Sequence, residues 1–148
     1  YGPYDKFDWE KSKVIPALVR RAVEKHAPFI VWGDGKDLKD FLYIDDYIDG
    51  MLLAMERLDE FQPINIAAGQ AVTIRDVLKE ILNAADYRDA TIEYDVSKPT
   101  MIPRRMIDIS LARKLLGWAP KVSLKEGIQR TVDWYRDAYS VITPEERR

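Results

Sequence analysis

The sequence predicts an α/β fold, a small mixed sheet with several helices, and three features carry that expectation. Short runs rich in β-branched and aromatic residues, Phe29 to Trp32 and Phe41 to Ile44, read as strands. They alternate with longer stretches whose apolar residues recur at helical spacing. Ile64-Asn65-Ile66-Ala67-Ala68-Gly69 is a mostly apolar run of the kind found in a strand buried on both faces.

In chain order, Tyr1-Gly2-Pro3-Tyr4 is a turn. Ser12 then caps a helix from Lys13 to about His26, whose stripe is Val14, Ile15, Leu18, Val19, Ala22 and Val23. Pro16 is tolerated in its first turn, where the missing N–H has no intrahelical partner, and Pro28 closes the segment. The strand Phe29–Trp32 leads through Gly33-Asp34-Gly35 to the strand Phe41–Ile44, with Lys36 and Lys39 in the polar stretch between. Asp45-Asp46 caps a helix that runs to about Leu58 and shows Ile48, Met51, Leu52 and Met55.

Thr73-Ile74-Arg75-Asp76 resembles a capping box with Asp in place of Glu, and it starts a helix striped by Val77, Leu78, Ile81, Leu82 and Ala85. Thr91 to Tyr94 alternates as a strand with one wet face does. The loop Asp95 to Met106 combines Pro99 and Pro103 with Lys98, Arg104 and Arg105. Ser110 caps a short helix stopped by Gly117 and Pro120. Ser123-Leu124-Lys125-Glu126 is a full capping box for a last helix carrying Ile128, Val132 and Tyr135, which fades before Thr143-Pro144 and leaves a frayed tail, Glu145 to Arg148.

A chain of 148 residues, 47% hydrophobic and 32% charged, is the size and composition of one globular domain. No apolar run reaches the length of a bilayer span, so no membrane is expected. A net charge of −2 argues against a nucleic-acid partner, which a basic surface would hold by releasing counterions. The chain has no cysteine and one histidine, His26, which leaves no metal site to expect and fits a reducing, cytoplasmic setting.

Several motifs look chemical and have a plainer reading. Tyr94-x-x-x-Lys98 has the spacing of a dehydrogenase pair, but that chemistry needs both side chains on one helix face, and here a strand leads into Lys98-Pro99. Gly33-Asp34-Gly35 lacks the third glycine and the following helix of a dinucleotide turn, so it reads as a tight turn. Asp45-Asp46 reads as a cap rather than a metal or acid–base pair, His26 as a surface residue compensating a helix dipole, and Trp118 and Trp134 as packing residues. Lys39, Arg104 and Arg105 are harder to dismiss. Two irregular loops offering cations, one of them next to Trp32, suit a diphosphate carrying a planar group.

Taken together, Tyr1-Gly2-Pro3, Val14-Ile15-Pro16-Ala17-Leu18, Val31-Trp32-Gly33-x-Gly35, Asp40-Phe41, Asp45-Asp46, Asn65-Ile66-Ala67-x-Gly69, Ser97-Lys98-Pro99, Pro103-Arg104 and Leu116-Gly117-Trp118 resemble, in order and approximate spacing, the C-terminal half of extended short-chain dehydrogenase/reductases (SDRs) acting on sugar nucleotides. Within that family the chain is most similar to the GDP-L-fucose synthases. The resemblance implies an NAD(P)-dependent nucleotide-sugar epimerase, reductase or dehydratase, of which this chain is the substrate-binding C-terminal domain, 1–148, a fragment lacking the N-terminal Rossmann half. It implies a GDP-sugar as ligand, and NADP or NAD bound by the missing half with none bound here.

Carried over by position, Val14, Leu18 and Arg21 would line the sugar-nucleotide pocket. Val31 and Trp32 would meet base and ribose, and Lys39 and Arg105 would hold the diphosphate and nearby sugar hydroxyls. Two residues depart from the GDP-L-fucose synthase pattern. Lys13 stands where a catalytic His precedes Val-Ile-Pro-Ala, and Lys39 stands for Arg. A lysine donates a proton at neutral pH only if burial lowers its pKa, so Lys13 is a catalytic candidate on that condition. The alternative is a stand-alone nucleotide-sugar or carbohydrate binding module without catalysis. Because the Asp46 helix and the Ile64 strand read as buried on more than one side, self-association through them is also expected.

Overall fold

The protein was analysed as a computed structural model, which describes residues 1–98 and 102–141. The elements in chain order are α1 (Val14–Val23), β1 (Phe29–Trp32), β2 (Leu38–Lys39), α2 (Ile44–Arg57), β3 (Val72–Thr73), α3 (Ile74–Ala84), β4 (Ile92–Asp95), α4 (Ser110–Leu116) and α5 (Leu124–Val141). Both senses of strand pairing occur, divided between two small sheets. β1 pairs parallel with β4, Trp32 opposite Asp95, and β2 pairs antiparallel with β3.

Two apolar clusters hold these elements together. The larger one gathers Ile15, Leu18 and Val19 of α1, Phe29 and Val31 of β1, Val77, Leu78 and Ile81 of α3, and Ile128 and Val132 of α5. The smaller one joins Ala112 and Leu116 of α4 to Ala67, Ile109 and Trp118, with Leu53 and Ala54 of α2 packed against it. Trp118 is thus a core residue as expected, and Trp134 packs against Tyr4 and Phe7.

Local signals account for three of the helix limits. Thr73 and Asp76 form the expected capping box, each accepting from the other's backbone N–H, at 3.0 and 3.2 Å. Gly117 ends α4 in the left-handed conformation, φ 59°, that other residues rarely adopt. Ser123 accepts from the Glu126 N–H at 3.2 Å and starts α5. No helix among the described residues is long and apolar enough to cross a membrane.

Elsewhere the element limits depart from the sequence expectation. α1 is capped by Lys13, which makes no side-chain cap bond, rather than by Ser12, and it ends at Val23 instead of His26. Past that end, His26 sits 3.0 Å from Glu24 and against Trp9. Phe41 to Ile44 is not a strand: the Ile44 N–H donates to the Tyr1 carbonyl at 3.0 Å, and α2 begins there with Tyr43 as its cap.

Asp45 and Asp46 therefore lie in the first turn of α2 and cap nothing. Asp45 faces Arg130, while buried Asp46 accepts from the Lys121 and Val122 N–H groups at 3.0 and 2.9 Å. Ile64 to Gly69 is irregular rather than a strand and belongs to neither sheet. Instead the Ala68 and Gly69 N–H groups donate to the Asp40 carboxylate at 2.8 and 2.9 Å. At α4 the cap is Ile109, since the Ser110 hydroxyl donates to Asp108. The end of the last helix near Thr143-Pro144, the tail Glu145 to Arg148 and Pro99 lie outside the described residues.

Candidate functional site

The C-terminal ends of the parallel strands β1 and β4 form a rim of aromatic and cationic side chains. Burial alternates along β1, so Val31 points into the core and Trp32 out of it, leaving the indole 62% exposed. The chain then turns sharply. Gly33 and Gly35 have φ of 77° and 75°, and a Cβ on Gly35 would lie 2.7 Å from the Tyr94 ring, so only glycine fits.

This turn is fastened on both sides. The Gly33 N–H donates to the Asp95 carbonyl at the end of β4 (2.9 Å), and the Arg75 N–H at the start of α3 donates to the Gly35 carbonyl (3.0 Å). Arg75 Nε also donates to the Asp34 carbonyl at 3.1 Å, and its guanidinium lies 5.1 Å from the Tyr94 ring centre. The backbone N–H of Lys36 holds the Asp34 carboxyl below the usual carboxylate range, and the Lys36 ammonium lies 3.6 Å from it.

The two cationic loops meet through their backbones. Leu38 N–H donates to the Pro103 carbonyl and Arg105 N–H to the Leu38 carbonyl, both at 2.8 Å, with Leu38 and Arg104 paired in a parallel bridge. Lys39 and Arg105, distant in sequence, therefore follow this bridge side by side. The Lys39 ammonium contacts Asp37 at 3.2 Å and donates to the Ile102 carbonyl, while Arg105 is exposed.

The residues expected on α1 lie in a different setting. Leu18 is 2% exposed and Val31 of β1 only 1%, both inside the larger cluster, with Val14 at its edge. Arg21 Nη1 donates to the Ala17 carbonyl at 3.2 Å, and its guanidinium lies 5.4 Å from the Trp9 ring centre. Burial, together with repulsion from Arg20, lowers the pKa of Arg21. Lys13 is exposed at the start of the helix. The structure thus joins the Lys39 and Arg105 segments by backbone bonds, leaves Trp32 exposed at the end of β1, and sets Val14, Leu18 and Arg21 on a helix that contacts β1, with Lys13 as its cap.

Two concavities lie elsewhere, one of about 170 Å³ between Phe41 and Leu124 and one of about 320 Å³ lined by Tyr1, Asp40, Ile44, Tyr47 and Ile66. Both are lined by residues of the family-like motifs, Phe41 in the first and Tyr1, Asp40 and Ile66 in the second, but none of the candidate ligand residues Val14, Leu18, Arg21, Val31, Trp32, Lys39 and Arg105 lines either. Arg75 belongs to the rim although sequence reasoning gave it no ligand role, and Lys98, read there as one cation of the Asp95–Met106 loop, belongs to it as well. Lys98 lies with its ammonium 5.5 Å from the Trp32 ring centre, while Tyr94 faces Arg75 from β4, so this Tyr and Lys share no helix face. The Gly33–Gly35 turn runs into β2, not into a helix, so it does not fit a dinucleotide pyrophosphate.

Residues 1–131 match the family described as GDP-mannose 4,6 dehydratase. GDP-L-fucose synthase 1 of Arabidopsis thaliana is 38% identical over 139 residues, covering 91% of this chain and 42% of that protein. GDP-L-fucose synthase of Escherichia coli (strain K12) is 35% identical over 148 residues, covering 91% and 46%. The fold matches a GDP-L-fucose synthetase from Naegleria fowleri with TM-score 0.86 at 25% identity, over 95% of this chain and 44% of that one. It also matches UDP-glucuronic acid 4-epimerase from Bacillus cereus, solved with UDP-glucuronic acid and NAD, with TM-score 0.81 at 30% identity, over 94% and 43%. The chain spans less than half the length of each of these proteins.

Proposed function

The chain belongs to the GDP-mannose 4,6 dehydratase family, and from that premise we propose that it is the substrate-binding part of an NAD(P)-dependent nucleotide-sugar enzyme similar to GDP-L-fucose synthase. Its ligand in this reading is a GDP-sugar. Trp32 takes the base on its exposed indole face, since a flat aromatic surface stacks a planar ring. Lys39 and Arg105 hold the diphosphate, because ammonium and guanidinium groups supply charge-assisted donors to phosphate oxygens.

The observation that supports this best is the backbone junction between the Leu38 and Arg105 segments, by which the chain at Lys39 adjoins the chain at Arg105, together with the exposed indole of Trp32. In this reading Val14, Leu18 and Val31 support the pocket from behind, and Arg21 adds a donor for the sugar. Lys13 serves proton transfer only where bound substrate buries it, since an exposed ammonium gives up its proton poorly at neutral pH. NADP or NAD is held by a nucleotide-binding half and not by these residues, consistent with a glycine turn that leads into a strand. The alternative without catalysis, a stand-alone binding module, would share the ligand site.

Calorimetric titration of a GDP-sugar into a complete enzyme carrying this chain tests the assignment. Replacing Lys39 or Arg105 by Ala is expected to cost about 1.5–3 kcal/mol of binding, the range for hydrogen bonds to charged groups. Affinity unchanged in both variants would return the two residues to the role of solvated surface cations.

A further inference from the structure

We propose that Lys98 reads the base of the bound nucleotide, favouring one that presents a ring carbonyl, guanine or uracil, over adenine. The inference rests on the reading of Trp32 as the platform for that base and adds to it the group that selects which base stays.

The turn after β4 aims Lys98 at the platform. Its N–H donates to the Asp95 carbonyl at 3.3 Å, and the same carbonyl accepts from Gly33 N–H, the residue next to Trp32. The Asp95 carboxylate takes the Ser97 hydroxyl at 2.5 Å and the Ser97 N–H at 3.1 Å, closing a tight side-chain turn. Ser97 holds that carboxyl below the usual range, so at neutral pH it stays ionised and bonded to the turn. With Trp32 and Asp95 in register on the paired strands, the chain folds back and places the Lys98 ammonium over the indole, 5.5 Å from its centre. That distance lies within cation–π range.

The lysines of the two cationic loops differ in their partners. Lys36 faces Asp34 at 3.6 Å and Lys39 faces Asp37 at 3.2 Å. Among the described residues no carboxylate comes within 4.0 Å of the Lys98 ammonium, so its N–H groups remain available to a ligand. An ammonium has donors and no acceptor. The ammonium covers the indole face only until a base takes that place; moved aside to the edge of the stacked base, it donates to the guanine O6 or uracil O4 carbonyl, whereas adenine offers an amino donor at the equivalent position and is disfavoured. Lys98 is therefore a specificity residue, separate from the cations assigned to the diphosphate.

The test uses inosine, guanosine and adenosine diphosphates titrated into the 148-residue chain and followed by calorimetry. Inosine diphosphate keeps the six-position carbonyl without the two-amino group, so it isolates the contact. Inosine and guanosine diphosphates are expected to bind roughly tenfold tighter than adenosine diphosphate, as one charge-assisted hydrogen bond allows. Lys98→Met should weaken the first two and leave adenosine diphosphate unchanged, and Lys98→Arg should keep the preference. Trp32→Ala should weaken all three alike. Binding that depends on Trp32 with a preference untouched in Lys98→Met would overturn the role of Lys98 alone. No binding of any diphosphate would overturn the platform as well.

Discussion

The indole N–H of Trp118 donates to the backbone carbonyl of Asp46 at 3.1 Å, in a bond buried between α2 and the segment that follows α4. The carboxylate of the same residue accepts from the Lys121 and Val122 N–H groups, so one aspartate, 2% exposed, fixes three points of another segment. Asp46→Ala removes the acceptor of two backbone donors and should destabilise the fold by about 2–4 kcal/mol. Asp46→Asn, which keeps one carbonyl oxygen, should cost less. Urea denaturation measures both, and an alanine variant as stable as the parent would show that water replaces the carboxylate without penalty.

At the start of α3 the bonds from Thr73 hold the Asp76 carboxyl below its ordinary value, hydroxyl first and backbone N–H second. A depressed folded pKa gives stability that is complete above the unfolded value, near pH 4, and is lost as pH falls through the folded one. Asp76→Asn should therefore flatten the decline of stability in acid and leave its slope near neutrality unaltered. Thr73→Ala should cost about 1 kcal/mol at neutral pH. Denaturation midpoints collected from neutral into acid solution report both effects, and parallel acid profiles for parent and Asp76→Asn would contradict the assignment.

The outer face of α2 carries Tyr47, Ile48, Met51, Leu52 and Met55, the last 78% exposed, at helical spacing. An apolar stripe of this kind rarely stays bare, and self-association of the chain through it is expected. Leu52→Glu should shift the chain to monomer in sedimentation velocity runs. A parent that sediments as a monomer at high concentration, and binds no dye specific for apolar surface, would refute this.

The chain by itself is expected neither to bind NADPH nor to oxidise it with a 4-keto-sugar nucleotide. Hydride transfer requires the nicotinamide to be held against the substrate carbon, and the Gly33–Gly35 turn does not supply that grip. Proton transfer from Lys13 would contribute roughly 10²–10⁴-fold and cannot replace the hydride step. Loss of reduced-cofactor absorbance above a protein-free control, surviving repurification, would reverse this conclusion.

The parts of the structure legible in the sequence are those governed by neighbours in the chain. Thr73 with Asp76 and Ser123 with Glu126 lie one helical turn apart, and Gly117 answers only to its own backbone angle. Phe41 to Ile44 has the composition of a strand, but where α2 starts is decided by a bond to Tyr1, which no window of sequence reveals. Asp46 reads as a cap and Asp40 only as part of a family-like motif, yet both direct their carboxylates to segments tens of residues away. For the site, Trp32 and its basic neighbours could be read directly. That Lys39 and Arg105 could serve one diphosphate was suggested by the two cationic loops and by the family resemblance, whereas the backbone junction between their segments and the places of Arg75 and Lys98 depend on how the loops, α3 and β4 dock against one another.

The two apolar clusters engage different helices, α1, α3 and α5 in one and α2 with α4 in the other, and polar contacts through Asp45 and Asp46 bridge them. Such an arrangement is expected to behave in hydrogen exchange as two cooperative units rather than one, with the following consequence. The α2–α4 unit can swing open while the rest stays closed, so its amide hydrogens exchange with solvent through that partial opening. Those of α1, α3 and α5 must wait for global unfolding. Weakening the Asp46 contacts would speed exchange in the first set long before it reached the second.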